Sequence, residues 1–158
     1  KMSENDIAEY NKINFPIIEL NKKIIPTKNK HHEYFGIGWT HNFLSGGLWS
    51  EGYVSTILFK TITSEDENIF LEIEALPSLI NNKEAKFNIF VNNNLQKTYN
   101  LNEIQKLNKI VLNLEKSINN SYKVDIKFSN LTSPLDVLQS PDARKLGILL
   151  RSIQLKSI

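Results

Sequence analysis

Residues 122–128 alternate apolar and charged side chains without a break: Tyr122, Val124, Ile126 and Phe128 are interleaved with Lys123, Asp125 and Lys127. Successive side chains of an extended strand point to opposite faces, so this spacing sends the first set into a core and the second into water.

The same period of two recurs along the chain. Residues 53–60 are rich in aromatic and β-branched side chains, and 69–75 set Ile69, Leu71 and Ile73 against Glu72 and Glu74. Residues 86–91 and 95–99 flank Asn92, Asn93 and Asn94, and asparagine tolerates the positive φ of a hairpin turn. Residues 109–114, with Ile110, Leu112 and Leu114 in register, and 146–155 complete the stronger strands, and weaker ones are expected at 16–20 and 34–39. Helical spacing is confined to 3–12 and 101–107, both too short to be stable alone. Many short strands with turns between them predict an all-β, two-sheet antiparallel sandwich, jelly-roll-like, with at most short helical turns. One domain is expected overall: an N-terminal extension over 1–33 with one or two edge strands, then the β-sandwich over 34–158.

Composition removes several function classes. Nineteen basic and 17 acidic side chains leave a net charge of +2, too balanced for a phosphate-binding face, so no nucleic-acid partner is expected. With no cysteine there is no disulfide, zinc–thiolate site or thiol nucleophile. The histidines are His31, His32 and His41, which lack ligand spacing such as H-x-x-x-H, so no metal and no cofactor are expected. No stretch approaches the roughly 20 apolar residues of a membrane span. The first residues are polar and acidic where a signal peptide is basic and then apolar, which points to the cytoplasm. No G-x-S-x-G elbow and no glycine-rich phosphate loop is present, so no catalytic residue is assigned.

Two segments depart from plain strand-and-turn grammar. Both tryptophans, Trp39 and Trp49, border one loop that carries Asn42, Gly46 and Gly47, with Ser50 just beyond it. An indole face stacks on a sugar ring and its N–H donates a hydrogen bond, so this loop suits glycan binding; alternatively the two rings anchor the edge of a core. The second segment, 133–147, contains two Ser-Pro pairs and then Asp142 and Arg144. A carboxylate beside a guanidinium can hold sugar hydroxyls, or can satisfy backbone groups within a long loop. The candidate ligand-binding residues are therefore Trp39, Asn42, Trp49, Ser50, Asp142 and Arg144.

Taken together, these segments resemble the β-sandwich domain attached to bacterial glycosyltransferases and other surface-polysaccharide proteins. The resemblance rests on Gly38-Trp39-Thr40, Trp49-Ser50-Glu51-Gly52, the hairpin Phe90-Val91-Asn92-Asn93, and Ser133, Pro134, Ser140, Asp142, Arg144, Leu146 and Gly147. It spans about residues 34–155. Three positions depart from the pattern: no acid lies between the tryptophans, Asn93 stands for a glycine, and Leu138 stands for another. The first departure bears on any ligand contact that depends on that glutamate. The resemblance implies a non-catalytic carbohydrate-binding accessory domain of surface-glycan (capsule or lipopolysaccharide) biosynthesis, with a glycosyltransferase as parent or partner. The alternatives are a structural or oligomerisation module of a glycosyltransferase, and a small hydrolase or transferase with an unrecognised site.

Overall fold

A computed structural model of the chain describes residues 15–26, 31–40, 46–62, 68–77, 85–101, 107–117, 120–129, 131 and 145–157. The described residues form nine strands: β1 (Lys23–Ile24), β2 (Leu48–Glu51), β3 (Val54–Lys60), β4 (Ile69–Pro77), β5 (Ala85–Val91), β6 (Asn94–Leu101), β7 (Asn108–Leu114), β8 (Ser121–Phe128) and β9 (Leu146–Ser157). Among the described residues the helical content is one 3₁₀ turn, His31–Tyr34.

The strands form two antiparallel sheets. In the five-stranded sheet the order is β1-β9-β4-β7, and β2 also pairs with β9. β1 meets β9 at Gln154 and Ile153 while β2 meets it at Leu150, Leu149 and Leu146, so the two short strands share one edge of β9. The four-stranded sheet has the order β3-β8-β5-β6. The inward side chains of both sheets, such as Leu71, Ile73, Leu112 and Ile153 from one and Ile57, Phe59, Ile89 and Ile126 from the other, form one buried cluster. Ile18 and Ile24 belong to the same cluster, which ties the segment before the 3₁₀ turn into the sandwich. The predicted all-β sandwich is the observed fold.

The hairpin between β5 and β6 turns on Asn92 and Asn93, whose φ angles are 49° and 67°. Two consecutive positive φ values give the backbone twist that matches the flanking strands. The Asn92 side chain adds a second function, since its Oδ1 accepts from the N–H of Lys123 at 2.8 Å and so pins the turn to β8.

Three expectations change. Residues 16–20 make a single parallel bridge, Ile17 to Lys60, rather than a strand. Residues 34–39 likewise make only isolated bridges, Phe35 to Ile57 and Trp39 to Ser50. The left-handed φ of 81° at Gly38 interrupts a regular ladder there. Finally, Asp125 lies on the outward face with Lys123 and Lys127 as expected, but it is 3% exposed and does not face water. The possible helices at 3–12 and 101–107 fall wholly or mainly outside the described residues.

Candidate functional site

The two tryptophans have different surroundings. Leu48 and Ser50 of β2 point inward, so Trp49 between them stands on the outer face of the five-stranded sheet. Trp39 is 8% exposed and part of the core cluster. Its Nε1–H donates to the carbonyl oxygen of Thr56 at 2.7 Å, and its ring meets Phe35 edge-on at 5.4 Å. A buried indole with a committed N–H has no open face for a sugar. Trp39 is an anchor of the sandwich edge.

Ser50 is fully buried, and its hydroxyl oxygen accepts from the N–H groups of Gly147 at 3.1 Å and Ile148 at 2.9 Å. The Ser55 hydroxyl donates to the carbonyl oxygen of Gly38 at 2.6 Å, and the N–H of Glu51 donates to the same carbonyl at 2.8 Å. Gly147 is packed so closely against the Phe128 ring that a Cβ there would overlap it. The motif residues Gly38, Trp39, Ser50 and Gly147 thus meet at one corner, where they lock β2, β3, β9 and the segment before Thr40 together. Asn42, Asp142 and Arg144 lie outside the described residues.

What remains open at this corner is Trp49. It sits directly across from Leu149, which in turn pairs with Leu76 of β4. Leu149 is outside the core cluster yet only 5% exposed, whereas Trp49 and Leu76 on either side of it are half-buried. One row along, Ser152 pairs with Glu74, and Glu74 pairs with Lys109. Arg151, exposed beside the row, donates from Nη1 to the carbonyl oxygen of Gly46 at 3.0 Å. Lys23 approaches Glu74 at 3.5 Å, and Glu72 lies between Lys109 at 3.6 Å and Lys156 at 3.3 Å. The face therefore runs from a half-buried indole over an apolar step to a band of paired charges. Sequence reasoning missed Leu149 as the partner of Trp49, and Leu76, Glu74 and Ser152 as residues further across the same outer face. The alternation of β4 puts Glu74 and Leu76 on one face, but only the β9 register shows that this is the face of the indole, one strand beyond Leu149.

Among the described residues no group of three or more histidine, aspartate or glutamate side chains could hold a metal ion. No helix among them is long and apolar enough to cross a membrane.

No protein-family model matches the chain, and no curated protein sequence matches it. Its structure is similar to the CBM22-1 xylan-binding domain of Xyn10C from Paenibacillus barcinonensis. The two chains are 11% identical, the match covers 90% of this chain and 97% of that one, and the TM-score is 0.51. The CBM36-1 domain of a multidomain xylanase from the hindgut metagenome of Trinervitermes trinervoides is 8% identical, with 75% and 87% covered and a TM-score of 0.45. The first likeness spans nearly the whole of both chains and defines the class: an all-β sandwich with the fold of a carbohydrate-binding module.

Proposed function

We propose that the chain is a non-catalytic carbohydrate-binding module that docks a neutral polysaccharide on the outer face of its five-stranded sheet, with Trp49 as the stacking ring. The observation that carries this reading is the placement of Trp49. It alone of the two indoles stands on an outer face, paired with Leu149, with Glu74 and the exposed Arg151 on the same sheet as hydroxyl-binding groups. An aromatic face for the sugar's C–H surface and a few polar groups for its hydroxyls are the recurring ingredients of such sites. The fold adds support, because the xylan-binding domain it matches shares the sandwich from end to end.

The motif resemblance suggests a glycosyltransferase as parent, and the fold likeness suggests a polysaccharide-degrading one; carbohydrate is common to both. A hydrolase reading is less well served. Glycoside hydrolysis needs one carboxyl to deliver a proton to the leaving oxygen, whereas Glu72 and Glu74 are both engaged by lysine ammonium groups.

Affinity should be weak, near the millimolar range that corresponds to roughly 4 kcal/mol, because sugar hydroxyls only exchange water for protein partners. The test is calorimetric titration of xylan, mannan and capsule-type oligosaccharides into wild type and Trp49→Ala. Binding by wild type and a loss of about tenfold or more in the variant, or roughly 1.4 kcal/mol, is expected. A folded Trp49→Ala protein that binds as tightly as wild type overturns the site.

A further inference from the structure

The opposite face of the sandwich carries a buried carboxylate with one oxygen that the described residues leave without a partner. Asp125 occupies β8, a central strand of the four-stranded sheet, and points away from the core with Lys123 and Lys127. Thr56 of β3 and Phe90 of β5 stand directly beside it on the flanking strands. Among the described residues its ionic partner is the Lys123 ammonium, 3.4 Å from Oδ2. Oδ1 is inaccessible to solvent and accepts no hydrogen bond among the described residues.

An unpaired buried acceptor costs about 1–3 kcal/mol, and more when it is charged. A structural role would be served by pairing it, and Lys127, two residues along on the same face, has the reach. Its ammonium instead lies 4.6 Å from the centroid of the Phe90 ring. Lys127 is exposed, and a cation–π contact at an exposed site is worth only about 0.5–1 kcal/mol, so Lys127 can leave that position at little cost. Its departure uncovers the ring face next to Asp125. One row further along, Asn88 sits between Lys127 and Thr98, and the Thr98 hydroxyl donates to Asn88 Oδ1 at 2.7 Å. That leaves the Asn88 amide hydrogens to serve as donors toward a ligand.

We propose that this face is a second saccharide-binding site, independent of Trp49, in which Phe90 receives the C–H face of a neutral sugar and Asp125 Oδ1 accepts from its hydroxyls. Lys127 acts as a displaceable cover, and Asn88 supplies hydrogen-bond donors to ring or hydroxyl oxygens. Hydroxyl donors fit the carboxylate better than a metal cation does, because Lys123 already places a positive charge beside it.

The experiment is an NMR titration of ¹⁵N-labelled chain with xylotriose and, separately, mannotriose, on wild type, Asp125→Asn and Phe90→Ala, with thermal melts of each. Expected are shifts of the Asn88, Thr98 and Lys127 amides in wild type, with affinity at those signals reduced tenfold or more in both variants. Shifts at Trp49 should be unchanged. Asp125→Asn should also melt no lower than wild type, since the lost Lys123 pair is offset by removing charge from a buried carboxylate whose Oδ1 has no partner among the described residues. A titration that moves Trp49 signals alone overturns this second site and leaves the first standing. Asp125→Asn binding at the Asn88 and Thr98 signals with wild-type affinity also overturns it. No shift on either face with either sugar removes both readings together.

Discussion

The hydroxyl oxygen of Ser50 is the acceptor for the backbone N–H of Gly147, 97 residues away in sequence. The neighbouring N–H of Ile148 donates to the same oxygen. One buried side chain therefore satisfies two backbone donors of β9 at the point where β2 begins to diverge from it, with a register shift between Trp49 and Glu51.

Ser50→Ala removes that acceptor and leaves two buried N–H groups unpaired. Each such group costs about 1–3 kcal/mol. Urea unfolding should show a midpoint lowered by that order, with an unchanged slope. A midpoint equal to wild type would mean that the corner is held by other contacts.

Trp39→Ala and Trp49→Ala should behave in opposite ways. Removing the buried Trp39 ring leaves a large cavity and takes away the donor to Thr56, a loss of about 3–5 kcal/mol. Trp49, on the outer face, should cost far less stability while carrying the ligand response. Comparing melting temperature with sugar affinity for the pair checks this directly; equal melting losses would contradict the placement of Trp49.

Gly38→Ala and Gly147→Ala probe two kinds of close approach. At Gly38 a Cβ would strike the backbone carbonyl of Val54, and the φ of 81° adds further strain. At Gly147 the obstacle is the Phe128 ring, which can shift. Overpacking of the second kind costs about 1–3 kcal/mol, so Gly147→Ala should fold with reduced stability. Gly38→Ala should be the more damaging of the two, as read by soluble yield and circular dichroism.

Alkaline pH should weaken the fold. Burial pushes the Tyr34, Tyr99 and Tyr122 hydroxyls above the usual tyrosine value. Glu33 and Glu19 add to the shift at Tyr34, while hydrogen bonds with Ser117 partly oppose it at Tyr122. The folded chain holds these protons to higher pH than the unfolded chain, whose tyrosines titrate near about 10. Stability is then full below about pH 10 and is lost as pH rises through the folded values. A series of urea midpoints that stays level through this range would contradict the burial of the three hydroxyls. Tyr122→Phe should soften the decline, at the cost of the bond to the Glu115 carbonyl oxygen.

The two-residue period made most of the sandwich legible, because strands such as β4 and β8 bury one face and expose or pair the other. The Asn92–Asn93 turn was legible for a similarly local reason, the tolerance of asparagine for positive φ. The corner was not. β2 and β3 turn Ser50 and Ser55 inward, so the apolar alternation that announces a strand is broken where the strands converge. Each hydroxyl is inward because it serves backbone groups distant in sequence, and no local pattern reveals that. The same limit applies to the tryptophans. An indole in a polar stretch reads alike whether its N–H meets a sugar or, as at Trp39, the carbonyl of Thr56. Asp125 looked like a solvent-facing charge because alternation specifies the face of a sheet, not whether that face is covered.

The placement of β9 bears on how the molecule is made. β9 holds β4 on one side and both β1 and β2 on the other, so three earlier strands wait for residues 146–157 before their sheet can assemble. During synthesis the four-stranded sheet, complete by residue 128, can form first, while β4 and β7 remain a two-stranded ribbon with a bare inner face. Pairings over such sequence distances are slow to form. Until the last strand emerges, the apolar side chains of β4 are the chain's most exposed route to aggregation.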